Sequence, residues 1–405
     1  PPTPPPPLPP PSPPPPSPPS TPPIYADACY TGPHVNMTYT GLRLKGFSGS
    51  IGMTEAGHQC IIHPDCKAVE ESDFDNHDHV LRYVLRGEGT LLAVGTATGL
   101  SFAPRSCRTG HVRLYRFEDE GKRLEHLHST EVGGVVGALC AFQGRLLAGV
   151  DSHLRLYDMG KKKLLRKCEL RGLPTMVAAI HVISPSRVVV GDLAASFLYV
   201  KYQRQENTFV LFADDVAPRW LTASCVLDAN TLAGADKFGN LFVTRLPQEV
   251  SDDVDDAQLL SSAAGNEALA LNGAPSKSDE LVQHHVGETI TSLQKVCLGP
   301  GCSEVLLYTT IMGGIGALLP LTSKDDLDLM QALEMHMRQE APPLSGRDQL
   351  FFRSAYFPVK AVVDGDFCAG FNTLPPSEQG AIAEDLDRSP PDISKKIEEL
   401  ANRIM

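Results

Sequence analysis

The sequence predicts a mainly β protein: a partial WD-type β-propeller with about five visible blades, a small α-helical C-terminal domain, and a disordered proline-rich N-terminus. Three observations carry this. Short apolar segments closing on glycine recur with separations of 42 and 43 residues, from Gly149 to Gly191 to Gly234, and a period of about 40 to 45 built from several short strands is a propeller signature. After residue 321 the apolar pattern changes to helical spacing. Residues 1–23 hold 17 of the 34 prolines.

The first 23 residues, interleaving Pro with Ser and Thr, cannot form helix or ladder because proline lacks the backbone donor and fixes φ. Such a segment is read as a solvated polyproline II spacer, a docking site for a proline-binding module, or, on an exported protein, a glycosylated stalk. Residues 24–79 form a second region of uncertain fold with three cysteines and five histidines.

Blades are expected over residues 80–321. LLAVG ends at Gly95, RLLAG at Gly149, RVVVG at Gly191 and TLAG at Gly234. Seven and eight residues after each of the last three glycines stand Leu156 and Tyr157, Leu198 and Tyr199, and Leu241 and Phe242, which is the register of a second strand following a tight connection. Between Gly95 and Gly149 the spacing is about 12 residues too long, which places an insertion around SFAPRSCRTG. Thr309 of EVLLYT occupies the position of a fifth glycine once residues 249–280, acidic and small, are set aside as a mobile loop.

Over 322–405 Ser323 stands as an N-cap three residues before Asp326, and Leu327, Met330, Glu334 and Met337 follow at helical spacing. Ser389, Pro390 and Asp392 open a last helix that puts Ile393, Ile397, Leu400 and Ile404 on one face, expected to pack within the chain.

With 36 basic and 48 acidic side chains, the net charge of −12 argues against a surface built mainly to hold phosphate backbones. The longest nearly apolar run, Ile311 to Leu321, is too short to cross a bilayer. No phosphate-cradling, dinucleotide-binding, zinc-protease or serine-hydrolase motif occurs, and neither an enzyme nor a cofactor is expected. Cys60, His63 and Cys66 are the weak metal candidates, since thiolate and imidazole are zinc donors, but their spacing is not a standard ligand pattern. The stretch MTEAGHQCIIHPDCKAV faintly resembles an apple or PAN domain, which implies disulfides and export, and Asn36, Met37 and Thr38 form a glycosylation sequon. The seven later cysteines, including Cys140, Cys225 and Cys297, read as buried small hydrophobes of a reduced protein. Lys161, Lys162, Lys163, Arg166 and Lys167 form a basic run that could touch RNA or act as a nuclear signal, although a solvated hairpin turn accounts for it. His284 and His285 are placed at the opening of a strand.

The stretches FQGRLLAGV, LRLYDMGKKKLLRKCE, FADDVAPRW, AGADKFGNLFVTRLP, HVGETITSLQK, MGGIGALLP, FFRSAYFPVKAVVDGDFC and LDRSPPDISKKIEEL, in this order, resemble the C-terminal portion of the splicing factor 3b subunit 3 family. That family groups with damage-specific DNA-binding protein 1 and the large cleavage and polyadenylation specificity subunit. The resemblance implies a triple-propeller protein ending in a helical domain. It further implies a nuclear, non-catalytic scaffold of the U2 small nuclear ribonucleoprotein that supports branch-site recognition in pre-mRNA splicing. The implied partners are the splicing factor 3b helical-repeat subunit and small subunits, with RNA contact indirect or local, and no membrane or small-molecule substrate. Arg353, Asp364 and Asp366, around the VDGD element, join the basic run as candidate interaction residues. The alternatives are a ubiquitin-ligase adaptor of the same propeller family and an exported proline-rich glycoprotein, for which pairing of Cys29, Cys60 or Cys66 would speak.

Overall fold

The glycine-closed segments are the second strands of a row of antiparallel blades. The computed structural model of the chain describes residues 52–53, 59–60, 81–87, 89–102, 105–118, 123–255, 273–299, 302–340, 346 and 348–404. The proline-rich tail, most of the region 24–79, His63 and Cys66 lie outside the described residues.

Strand β1 (Gly52–Met53) pairs with β2 (Gln59–Cys60). The first blade is β3 (Leu81–Gly87), β4 (Gly89–Thr98), β7 (Thr109–Glu118) and β8 (Arg123–Glu131). Between its second and third strands sits the hairpin β5 (Ser101–Phe102) and β6 (Arg105–Ser106), the insertion expected from the spacing. The second blade is β9 (Val136–Phe142), β10 (Arg145–Val150), β11 (His153–Asp158) and β12 (Leu165–Leu170). The third is β13 (Val177–Val182), β14 (Arg187–Asp192), β15 (Ser196–Gln203) and β16 (Thr208–Asp215). The fourth is β17 (Leu221–Val226), β18 (Thr231–Asp236), β19 (Asn240–Arg245) and β20 (Ser276–His285). A three-stranded fifth consists of β21 (Ile290–Val296), β22 (Val305–Thr310) and β23 (Ile315–Leu318).

Successive blades share apolar cores, so the second strands of the first four blades are covered on both faces and read as apolar runs. Leu91, Val112 and Leu114 of the first blade pack with Val136, Leu139 and Leu146 of the second. Leu147 and Leu156 meet Val177 and Val190, and Phe197 and Tyr199 meet Leu221 and Phe242. Ala233 and Leu241 then meet Ile290 and Leu293. The recurring glycine follows from this stacking. A Cβ on Gly95 would lie 2.6 Å from Val136, one on Gly149 would collide with Val177, and one on Gly191 would lie 3.1 Å from Ala179 and Leu221. Thr309 occupies the equivalent position in β22, and its hydroxyl lies 3.2 Å from that of Thr291 at an exposed site. No further blade covers it among the described residues.

The stretch 249–280 differs from the expected loop at both ends. Helix α1 (Gln248–Asp255) starts it and β20 ends it. Its acidic sequence hides the helix, which is fixed by tertiary contacts: Val254 and Ser251 are buried against the third blade, Arg187 donates to the Ser251 hydroxyl (2.6 Å) and its carbonyl, and Lys201 bonds the Val254 carbonyl. Cations on the last carbonyls of a helix complement its dipole. β20 joins two blades, pairing antiparallel with β19 and, through Ser276–Ser278, parallel with β16. His284 and His285 therefore close a strand rather than opening one.

The C-terminal domain comprises α2 (Lys324–Glu340), α3 (Gln349–Arg353), α4 (Gly365–Ala369), the 3-10 turn Gly370–Thr373, α5 (Pro376–Asp385) and α6 (Pro390–Asn402). Its core gathers Met330, Leu333, Met337, Cys368, Phe371, Ile382, Ile393, Ile397 and Leu400, so the last helix packs within the chain as expected. On α2 the buried stripe is Met330, Leu333 and Met337 with Asp326. Leu327 is only half-buried, and Glu334 uses its carboxylate to accept the Asp364 N–H at 3.1 Å. Ser323 caps α2 through the Asp326 N–H (3.4 Å), whereas the Ser389 hydroxyl donates to the Asp392 carboxylate (2.6 Å) instead of capping α6. Cys140 and Cys225 are half-buried strand residues, but Cys297 is exposed just past β21, where the loop leaves the core.

Candidate protein-interaction surface

The turn between the second and third strands of each middle blade is built on an aspartate. Asp151 accepts the Val135 N–H (2.9 Å), and Asp192 accepts from the amides of Thr175, Ala194 and Ala195. Asp236 accepts from the amides of Phe238 (2.9 Å) and Asn240 (3.0 Å) and from the Asn240 side chain (2.7 Å). At Asp192 and Asp236 the carboxylate bonds amides two to four residues on, which fixes a tight turn, whereas Asp151 ties its turn back to the chain before β9. In the fourth blade this presents Lys237 and Phe238 at the tip. Gly239, at φ +83°, lets the turn close onto the β20–β21 connection: a Cβ there would lie 2.9 Å from the backbone of Glu288. The preceding interblade segment is tied in by Lys237 N–H to Trp220 carbonyl (3.0 Å).

Against this turn lies the chain that follows α3. Gln283 and Lys360 exchange backbone hydrogen bonds of 3.1 and 2.9 Å, adding a bridge at β20. Arg353 is the principal connector. Its guanidinium pairs with the Asp364 carboxylate (2.7 Å) and donates to the carbonyls of His285 (3.1 Å) and Val286 (3.2 Å), so one side chain holds α4 and the end of β20. Asp364 is buried. It also accepts from Gln349 (2.6 Å) and caps α4 through the Phe367 N–H (3.1 Å). Burial opposes its ionisation, yet the Arg353 charge and these donors hold its carboxyl below the usual range. Burial, with the nearby Arg353 charge, pushes His284 down to about 4 and lowers His285, so both are neutral near pH 7. Burial and the neighbouring Asp364 raise Glu334. A second connector, Arg219, is buried between Asp215 (2.5 Å) and Glu280, with its guanidinium 4.1 Å from the Phe242 ring and 5.5 Å from that of Phe357.

An aromatic strip crosses this junction, exposed at its outer rings and joined through the buried ring of His285. The Lys237 ammonium lies 3.4 Å from the Trp220 ring centre and 5.0 Å from that of Phe238. Phe238 meets Tyr356 at 5.2 Å, and His285 meets both Tyr356 and Phe352 at 5.4 Å. Trp220, Phe238, Phe352 and Tyr356 are 43–55% exposed and Phe351 is 75% exposed. An apolar patch of this kind, edged by cations and bearing no acid–base pair, is suited to binding a partner surface.

Of the residues singled out from sequence, Arg353 and Asp364 meet, while Asp366 is exposed in the first turn of α4. Lys161, Lys162 and Lys163 are exposed in the β11–β12 connection, at the opposite end of their blade from the Asp151 turn. Arg166 and Lys167 belong to β12, where they pair with Glu169 (3.5 Å) and Asp158 (3.6 Å). Cys60 lies in β2, and no cluster of three metal-ligating side chains occurs among the described residues. The aromatic strip was not singled out from sequence. Its members come from segments more than a hundred residues apart, although the Asp that follows Gly149, Gly191 and Gly234 within two residues was a legible signal for the turn beneath it.

Residues 66–373 match the family described as the CPSF A subunit region. The chain belongs to that family. Several relatives with high identity to this chain are named as splicing proteins. Spliceosome-associated protein 130 A of Arabidopsis thaliana is 53% identical over 318 residues, covering 78% of this chain and 26% of the relative. Splicing factor 3B subunit 3 of Danio rerio is 50% identical over 328 residues, covering 80% and 26%. A probable splicing factor 3B subunit 3 of Dictyostelium discoideum is 50% identical over 312 residues, covering 77% and 25%. The chain therefore spans about a quarter of the length of the curated relatives it matches. The matched region takes in the blades and the Arg353–Asp364 junction of this family member.

Proposed function

We propose that this chain is a non-catalytic, nuclear protein-interaction scaffold of pre-mRNA splicing, acting with the U2 small nuclear ribonucleoprotein in branch-site recognition. The observation that carries the reading is identity of 50% or more, over nearly four-fifths of this chain, to proteins named for splicing. A rigid row of blades locked to a helical domain, with an exposed aromatic strip at the lock, supports it physically, since large apolar side chains at a partner surface supply most of the binding energy. The partners would be the helical-repeat subunit of splicing factor 3b and its small subunits. RNA contact would be indirect or local to the Lys161, Lys162 and Lys163 turn. The division at residues 23, 79 and 321 into tail, cysteine-containing region, blades and helical domain belongs to the same proposal.

The test is affinity purification of the full chain from its own cells, with identification of co-purifying protein and RNA. Recovery of the helical-repeat subunit and U2 RNA is expected. Recovery of a ubiquitin ligase in their place, or a glycosylated extracellular product, would overturn the reading.

A further inference from the structure

The connection between β21 and β22 carries two cysteines five positions apart, Cys297 and Cys302, and both are free thiols. Cys297 is exposed and Cys302 is half-buried. The fold brings them together. The Cys297 thiol lies 3.1 Å from the Gly299 carbonyl oxygen and 3.1 Å from the Cys302 carbonyl oxygen. Standard backbone dimensions then put the Cys297 sulfur within about 5.5 Å of the Cys302 Cα. At that separation side-chain rotation, rather than strand movement, is the step to bonding distance.

The connection is held on both flanks. Val296 pairs with Val305, and the Lys295 ammonium pairs with the Glu304 carboxylate at 2.8 Å. Within it the Cys302 N–H donates to the Gly299 carbonyl (3.2 Å), and the Ser303 N–H donates to the Arg403 carbonyl at the end of α6 (3.0 Å). Pinned ends reduce the chain entropy that closing a ring would otherwise cost. Elsewhere burial keeps thiols protonated: it pushes Cys168 up to about 11 and raises Cys225 and Cys368.

We propose that Cys297 and Cys302 form a dithiol site that is reversibly closed to a disulfide by exchange with a small-molecule disulfide of the glutathione class. The exposed Cys297 thiolate attacks one sulfur of that disulfide, forming a mixed disulfide and releasing one thiolate. The Cys302 thiolate then attacks the Cys297 sulfur, forming the intrachain bond and releasing the second. Two protein thiols are thereby oxidised to one disulfide, and the small disulfide is reduced to two thiols, which take up the protons that the cysteines lose. Closure acts on the stretch of chain that ties the fifth blade to α6 through Ser303.

The full chain is equilibrated with mixtures of reduced and oxidised glutathione, remaining thiols are alkylated, and the protein is cleaved after lysine and arginine. The peptide from Val296 to Lys324 holds these two cysteines and no other. The expected product is that peptide lighter by two hydrogens, with the mass restored on reduction. Its equilibrium constant should be roughly tenfold or more higher in the folded chain than in urea, because a held pair exceeds the effective concentration of a short flexible linker. In Cys302→Ser, Cys297 should stop at a stable glutathione adduct. A persistent adduct on Cys297 of the unaltered chain would overturn the proposal. So would alkylation of both thiols at every ratio of the two glutathione forms, or closure no easier in the folded chain than in urea. None of these results depends on association with splicing proteins, so this proposal and the scaffold reading fail separately.

Discussion

Loss of the Arg353 guanidinium should uncouple the helical domain from the fourth blade. Arg353→Ala removes the 2.7 Å pair with Asp364 and the donors to the His285 and Val286 carbonyls. Asp364 is 7% exposed and keeps only Gln349 and the Phe367 amide as counterweights to its charge. Breaking a buried pair by removing one partner costs about 3–5 kcal/mol, and partial solvent access to Arg353 favours the lower end, about 3 kcal/mol. Asp364→Asn retains a side-chain acceptor for the cap while removing the charge. In that background Arg353→Ala should therefore cost about 2 kcal/mol less, a coupling energy within the range measured for groups in contact. The assay is urea unfolding of the four members of the cycle, followed both by Trp220 fluorescence, which reports the blades, and by helical ellipticity. The helical transition should move to lower urea ahead of the fluorescence transition in Arg353→Ala. Additive single effects, to within about 0.5 kcal/mol, would refute the coupling.

Buried neutral histidines should make stability pH-dependent. His181 and His284 are lowered from 6.5 to about 4, burial being the first cause in both. Between those values the unfolded chain binds protons that the fold refuses, so stability is flat above about pH 6.5 and falls as pH drops toward 4, by up to about 3 kcal/mol for each group. His284→Gln should flatten part of that slope in urea midpoints measured across the window, and an unchanged slope would refute the assignment. Gly149→Val should destabilise by about 1–3 kcal/mol or more, since its side chain would be forced into Val177, and the thermal midpoint should drop accordingly. Gly380→Ala should do the reverse and stabilise by up to about 1 kcal/mol, because no atom lies within 4 Å of the added Cβ in a helix. Phe371→Ala, at a side chain with 0% exposure, should cost about 3–5 kcal/mol and be read as a lowered helical transition.

The blades were legible because their stacking writes a local rule into the sequence. In the first three blades the second strand approaches the next blade too closely for a side chain, and so a glycine recurs where Val136, Val177 and Leu221 press in, while at Gly234 the space is taken by the Phe242 ring of the same blade. The same geometry explains Thr309, since a strand with no described neighbour on that side loses the need for glycine. Helix α1 was hidden for the opposite reason: its sequence is acidic and small, and its stability comes from Arg187 and Lys201, which are distant in sequence. Asp364 was found through a motif, but its pairing with Arg353 and the resulting hold on β20 depend on how two segments cross. The aromatic strip goes one step further. Trp220, Phe238, His285, Phe352 and Tyr356 are unremarkable singly, and become a surface only because an aspartate-held turn, the end of one strand and the chain after α3 converge. In a stacked β fold, periodic constraints thus reveal the scaffold, whereas the aromatic strip is assembled from the departures from that period, at the junction where the repeat ends and the helical domain begins.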